Sequence, residues 1–278
     1  ARRRYALGLP GAIATVKPRP LGLFCGCDMP LQRSGGWLES VKTIVYAALI
    51  AVGIRTVAFE PFNIPSGSMI PSLLVGDYLF VSKFSYGYSR HSMPFSPNLF
   101  EGRIFASPPK RGDVAVFKLP RDGSTDYIKR IIGLPGDRVQ MRSGILHLNG
   151  TPVRRELLGP YTVEGDGPRI TVRRFREFLP AIDSAPGVAH DILEASDDAP
   201  LDNTPEFRVP AGHVFAMGDN RDNSLDSRAM NAVGFIPIEN LVGRAEIIFF
   251  SVDGSAAWWQ VWNWPFAIRW TRLFSAVR

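Results

Sequence analysis

The sequence predicts a mainly β protein: an antiparallel-sheet core with an inserted second β lobe, preceded by one N-terminal transmembrane helix. Three observations predict it. Gly (26) and Pro (23) are plentiful among the 278 residues, which favours a turn-rich body over a helical bundle. Short β-rich segments recur between turn signals from Tyr78 onward. A single uncharged, largely apolar run, residues 43–54, stands before the first of them. Apolar residues make up 45% and charged residues 21%, so the chain is neither disordered nor collagen-like.

The helix is expected over residues 37–60. Its apolar run resumes after Arg55 and ends before Pro61, giving 17 residues from 43 to 59, the short end of what spans a bilayer. Arg55 lies near one end, where its stem can snorkel to the headgroups. A buried helix of a soluble protein is the competing reading. A cleaved leader fits less well, because Glu60-Pro61-Phe62 follows rather than a small-x-small site. Residues 1–36 read as a loose basic segment with Arg2-Arg3-Arg4 and four prolines; the first methionine is Met29, which offers an alternative start.

Charge is unevenly placed. Of the net +6, residues 1–42 hold +5 and residues 255–278 hold +3, which leaves −2 on the body between. A nucleic-acid binder needs its basic stripe on the folded body, so nucleic acid is not expected as a partner and a lipid bilayer is. Seven basic residues before Thr43 place the N-terminus in the cytoplasm by the positive-inside rule. The expected location is therefore the inner (plasma) membrane, single-pass, with the body on the outer, periplasmic face. The two cysteines, Cys25 and Cys27, precede the helix, so the body carries neither a disulfide nor a thiolate metal site.

Within the body, strands are expected at 78–84, 113–119, 127–132, 214–217 and 244–252. Asn149-Gly150 marks a tight hairpin and residues 134–137 a turn. Residues 61–150 and 211–252 form the expected core; the more polar 151–210 form the inserted lobe. Residues 253–278 hold Trp258, Trp259, Trp262, Trp264 and Trp270 with interspersed Arg, the composition of a membrane-interface segment or of a packed C-terminal element.

Three segments carry possible chemistry. Pro65-Ser66-Gly67-Ser68 follows the helix and makes a constrained loop with an exposed hydroxyl, though most such triplets are plain turns. In Tyr127-Ile128-Lys129-Arg130, alternation puts Lys129 on one face with Tyr127 and Ile131. Burial there depresses a lysine pKa, and a neutral amine can take a proton from a serine hydroxyl. Lys118 sits in a similar pattern, and periodicity does not choose between the two. The polar run 218–228 fails as a calcium-binding EF-hand loop: from Asp219 it would need Gly at position 224 and Glu at 230, where Ser224 and Met230 stand. It suits a hydrogen-bonded network that orders a neighbouring group.

Together these segments resemble the boxes of bacterial type I signal (leader) peptidases, a Ser–Lys dyad serine protease family. Ser-Gly-Ser-Met-x-Pro after a membrane helix, Arg-Gly-Asp-Val-x-Val-Phe (111–117), Tyr-Ile-Lys-Arg-x-x-Gly-Leu-Pro-Gly-Asp (127–137) and Gly-Asp-Asn-Arg-Asp-Asn-Ser-x-Asp-Ser-Arg (218–228) stand in the family's order. The resemblance covers most of 43–250. It implies a membrane-bound endopeptidase that removes signal peptides from exported preproteins after small residues, at Ala-x-Ala sites. Ser68 would be the nucleophile and Lys129 the general base; the Ser68 amide and Ser66 hydroxyl would form the oxyanion hole. Ser224 would hydrogen-bond and orient Lys129, and Asp226 and Arg228 would support the loop. Ile64, Pro65, Met69, Leu73, Tyr127 and Ile128 would line shallow substrate pockets. No metal or cofactor is implied, and nothing in the pattern specifies an oligomeric state. Some members have two N-terminal membrane helices or a disulfide in the second lobe; here one helix and no such cysteine are found.

Three other readings compete: a Ser68/His213/Asp226 hydrolase, a non-enzymatic envelope protein anchored by residues 43–59, and a self-cleaving repressor-like Ser–Lys peptidase.

Overall fold

The computed structural model describes residues 37–93, 102–163, 169–181, 187–256 and 259–277. The basic segment 1–36 with Cys25 and Cys27, and also Trp258, lie outside the described residues. The chain divides into two compact units, Ala1–Ile44 and Val45–Arg278. In the first, the described residues 37–44 are helical, with Lys42 Nζ 3.0 Å from Glu39 Oε1. Every described strand belongs to the second.

Helix α1 (Trp37–Val57) has 21 residues and is about 31 Å long. Among the described residues no helix is long and apolar enough to cross a membrane. The expected transmembrane helix is thus not shown. Glu39, Lys42 and Arg55 leave only residues 43–54 uncharged, about 18 Å of helix against about 30 Å of hydrocarbon.

The strands of the second unit, in order, are β1 (Phe59–Asn63), β2 (Asp77–Ser82), β3 (Val114–Lys118), β4 (Asp126–Gly133), β5 (Arg138–Arg142), β6 (Ile145–Leu148), β7 (Thr151–Pro152), β8 (Arg154–Val163), β9 (Ile170–Leu179), β10 (Val188–Glu194), β11 (Phe207–Arg208), β12 (His213–Met217), β13 (Ile236–Pro237), β14 (Leu241–Ser251) and β15 (Ser275–Ala276). They pair antiparallel, as expected of a mainly β chain. The large sheet runs β1-β2-β14-β3-β4-β12-β13, with β15 on the edge of β14. A three-stranded sheet, β10-β9-β8, falls within residues 151–210. A four-stranded sheet, β11-β5-β6-β7, joins both ends of that segment to the residues before it.

Pattern explains placement. In β2, Leu79 and Val81 are buried while Tyr78 and Phe80 are exposed, the alternation of a sheet wet on one face. Strand β3 instead buries Val114, Ala115, Val116 and Phe117 without a break. Val114 and Val116 join Ile64, Met69, Leu73 and Leu79 in one core; Ala115 and Phe117 join Ile131, Val214 and Ile236 in another. A strand covered on both faces needs no polar side. The expected hairpin forms between β6 and β7, with Asn149 and Gly150 both at positive φ (54° and 84°), as a type I′ turn requires.

Candidate active site

The loop after β1 is tied down before it reaches its serines. Ile64 N–H donates to Asp77 O at 2.9 Å, and Gly76 N–H to Ile64 O at 3.0 Å. Ile64, Met69 and Leu73 sink into the core and leave the short 3-10 turn Gly67–Met69 at the surface of that core. Ser68 is thereby 8% exposed. Its hydroxyl lies 3.5 Å from Ser66 Oγ.

Lys129 reaches the same point from β4. The ladder pairs it with Ala115 of β3, and only 4% of it is exposed. Its Nζ donates to Ser68 Oγ at 2.6 Å and to Ile128 O at 3.0 Å, and lies 5.5 Å from the centre of the Tyr127 ring. No carboxylate pairs with it among the described residues. Burial pushes its pKa down to about 8, against the pull of the Asp226 and Asp219 charges; Arg228 adds to the depression. Lys118, equivalent on pattern alone, is different in kind: its Nζ sits 2.9 Å from Asp126 Oδ1 and donates to Ser124 O at 2.8 Å.

The polar run 218–228 wraps this pair. Asn220 N–H donates to Ser68 O at 3.1 Å and Asn220 Nδ2 to Gly67 O at 3.0 Å, so one side chain and its backbone hold the serine turn. Gly218 is obligatory here: a Cβ would stand 2.5 Å from Ser68 O and 2.2 Å from Ser224 Oγ. Asp226 is fully buried and accepts from Arg228 Nε at 2.9 Å, Gly218 N at 3.0 Å and Ser224 Oγ at 2.8 Å. Those bonds hold its carboxyl below the usual range despite burial. The bond from Ser224 to Lys129 that the resemblance implies is not made; Ser224 spends its hydroxyl on the stronger acceptor, a buried carboxylate.

Beside the pair opens a cleft of about 780 Å³, lined among others by Ile64, Pro65, Ser66, Ser68, Tyr127, Ile128, Lys129 and Ser224. Met69 and Leu73, expected in the pockets, are 0% exposed and do not line it; they are core residues that seat the turn. Residues Ser68, His213 and Asp226 are not joined by hydrogen bonds: His213 Nδ1 faces Ala211 O at 2.9 Å, and Asp226 is committed to Arg228, Ser224 and Gly218.

Sequence reasoning passed over Asn220, Arg130 and Asp219. Arg130 is 0% exposed and forks onto Asp219 at 2.8 and 2.7 Å, which clamps β4 to the polar run. The signal was present, since alternation puts Arg130 on the opposite face from Lys129, but its partner lies 89 residues away.

Comparison with known proteins bears on what this arrangement does. The family model described as "Signal peptidase, peptidase S26" matches residues 37–250. The signal peptidase I of Rickettsia typhi (strain ATCC VR-144 / Wilmington) is 40% identical over 230 residues, 80% of this chain and 83% of that protein. The signal peptidase I of Rickettsia canadensis (strain McKiel) is 41% identical over 227 residues, 79% of this chain and 81% of that protein. A solved signal peptidase I from Enterococcus faecalis V583 aligns with a TM-score of 0.27 at 24% identity, over 50% of this chain and 97% of that one.

Proposed function

The chain belongs to the signal peptidase family, peptidase S26, and from that premise we propose that it cuts with a Ser68–Lys129 dyad. It is a serine endopeptidase, a hydrolase whose substrates are preproteins bearing signal peptides. One observation carries the dyad: a buried amine, with no carboxylate partner among the described residues, lies 2.6 Å from a serine hydroxyl. An amine with a pKa near 8 is substantially neutral at mildly alkaline pH, so it can accept the Ser68 proton as Oγ attacks the scissile carbonyl.

The steps follow from that transfer. The C–O bond to Ser68 forms and the carbonyl oxygen takes the negative charge. The Ser68 amide and the Ser66 hydroxyl, on the same turn, stabilise it as the oxyanion hole. Lys129 returns the proton to the leaving amine, the C–N bond breaks, and the acyl-enzyme remains. Lys129 then takes a proton from water, whose oxygen bonds to the acyl carbon; as the C–O bond to Ser68 breaks, Lys129 returns that proton to Ser68 Oγ and the signal peptide's new carboxylate is released. Asp226, Arg228 and Ser224 hold the loop that presses on Ser68, rather than touching Lys129.

Substrate would lie along the cleft as an added strand, its backbone hydrogen-bonded and its small side chains in shallow pockets between Ile64, Pro65, Tyr127 and Ile128. That shape supports an Ala-x-Ala preference. We place in the same proposal the division into a core carrying the site (61–150 and 211–252) and an inserted lobe (151–210). The same proposal has the protein attached to a membrane. Helix α1 exposes Trp37, Leu38, Ile44, Tyr46, Leu49 and Ile50, and the C-terminal segment exposes Trp259, Trp262 and Trp270. A cytoplasmic N-terminus with the site on the outer face requires α1 to cross despite its short apolar stretch, with Lys42 and Arg55 snorkelling. Alkaline carbonate extraction tests the attachment: full release into the supernatant would refute it.

The central test is cleavage of a preprotein carrying an Ala-x-Ala site by the detergent-solubilised protein and its variants. Wild type should cut, while Ser68→Ala and Lys129→Ala should fold and leave the substrate whole. A Lys129→Ala variant that still cuts at an appreciable rate would remove the dyad.

A further inference from the structure

Where the inserted lobe meets the polar run, three carboxylates converge. Glu194 ends β10, Asp202 sits in the turn that follows, and Asp222 lies in the 3-10 turn Arg221–Asn223. One oxygen from each lies within 4.8 Å of the others. Glu194 and Asp202 are 0% exposed and Asp222 is half-buried.

Each of the three carboxylates keeps at least one oxygen without a donor. Asp202 Oδ2 accepts from Ala199 N at 2.7 Å, and Asp222 Oδ2 from Ala195 N and Ser196 N at 2.7 and 3.0 Å. Asp202 Oδ1, Asp222 Oδ1 and both oxygens of Glu194 have no hydrogen-bond partner among the described residues. A buried carboxylate with nothing to accept from is costly, and like charges at this spacing add to the cost. Accordingly, burial pushes the Glu194 carboxyl up to about 8. The charges of Arg221 and Arg155 offset only part of this cost. Arg155 Nη1 stands 3.6 Å from Glu194 Oε1, but donates instead to Gly144 O at 2.8 Å; its guanidinium also reaches Asp197 at 3.3 Å and stacks on Phe175. Arg221 is committed to Glu177.

We propose that Glu194, Asp202 and Asp222 bind a calcium-class divalent cation that fastens the inserted lobe to the 218–228 run. The donor set is all carboxylate oxygen, which selects a hard cation. Ligand type favours calcium over magnesium: calcium is held by several protein oxygens in a flexible shell, whereas magnesium keeps much of its water and takes one or two carboxylates. The cation would add to a junction already bridged by Leu193 N–H donating to Asp219 O at 2.9 Å. Asp222 is two residues from Asn220, whose side chain holds the Gly67 carbonyl, so the fastened loop is the one against the serine turn.

The test is isothermal titration calorimetry of the chelator-treated full chain with calcium chloride, at a pH above the Glu194 value of about 8. One calcium per chain should bind, with magnesium at least tenfold weaker. Glu194→Gln and Asp202→Asn should each lose at least tenfold in affinity, with folding checked by circular dichroism. The wild-type titration decides the matter even if a variant fails to fold. No heat at about 10 mM calcium, ten times the weakest affinity of extracellular calcium modules, would overturn the site. So would binding that both variants retain in full. A calcium-indifferent protein whose melting temperature instead falls steeply as pH rises through 8 would show protons, not a cation, holding the cluster, and would equally overturn it. The binding readout is independent of whether Ser68 and Lys129 cut peptides.

Discussion

Lys129 and Arg130 are neighbours on one strand, both cations, both withdrawn from water, and the fold treats them in opposite ways. Arg130 is met by Asp219 in a two-pronged ion pair, with a further bond to Gly112 O at 2.8 Å. Its charge is kept, and it clamps β4 to the polar run. Lys129 is given a hydroxyl and a carbonyl but, among the described residues, no carboxylate. Its charge is disfavoured, and its pKa falls to about 8. A guanidinium cannot shed its proton and must be paired when buried; an ammonium can, and burial without a partner is how a lysine becomes a base.

The sharpest way to break this contrast is at the pair itself. Ser68→Ala and Lys129→Ala should each lower cleavage of an Ala-x-Ala preprotein by about 10⁴-fold or more, as losing one member of a catalytic unit does. Lys129→Arg should be as dead as the alanine variant, because the new side chain stays charged. Initial rates on purified protein check both, and a working arginine variant would end the idea that neutrality matters.

Next in size is the paired cation. Arg130→Met strands Asp219 as a lone buried charge and should cost about 3–5 kcal/mol in urea unfolding. The double variant Arg130→Met/Asp219→Leu should recover part of that. If the single variant is neutral, the clamp is not one.

The lysine then makes a prediction with a sign. Because its folded pKa lies below that of a free lysine, the unfolded chain holds the extra proton between about pH 8 and 10.5. Stability from this group is therefore lowest below pH 8 and rises through that window. Lys129→Met should be the more stable protein at pH 7, by up to roughly 3 kcal/mol, and should lose that advantage toward pH 10.5. In parallel, kcat/KM of wild type should climb with pH and level off above about 8; a flat profile from pH 6 to 9 would contradict an amine base.

The smallest effect is expected at the lysine that pattern alone did not separate from Lys129. Lys118→Ala removes a partly exposed pair with Asp126 and should change stability by less than about 1 kcal/mol and leave cleavage unchanged. His213→Ala should likewise cut normally, since its ring faces Ala211 O rather than the serine.

Local chemistry made much of this legible in the sequence. β-rich, partly alternating runs located β2 and β3, and Asn149-Gly150 located a hairpin, because each depends on neighbours a few residues apart. The joint order of the four boxes pointed to the family. Three things depended on tertiary structure alone. Which of Lys118 and Lys129 loses its counter-charge is set by what surrounds each: Asp126 beside one, the serine turn beside the other. That Met69 and Leu73 seat the turn instead of lining the cleft follows from which way the 3-10 turn faces its core. The partners of Arg130 and Ser224, and the acidic neighbours of Glu194, come from distant segments or from competition within one loop. Periodicity reports which face a residue occupies; only the assembled chain determines what waits on that face, and burial energies turn on that occupant.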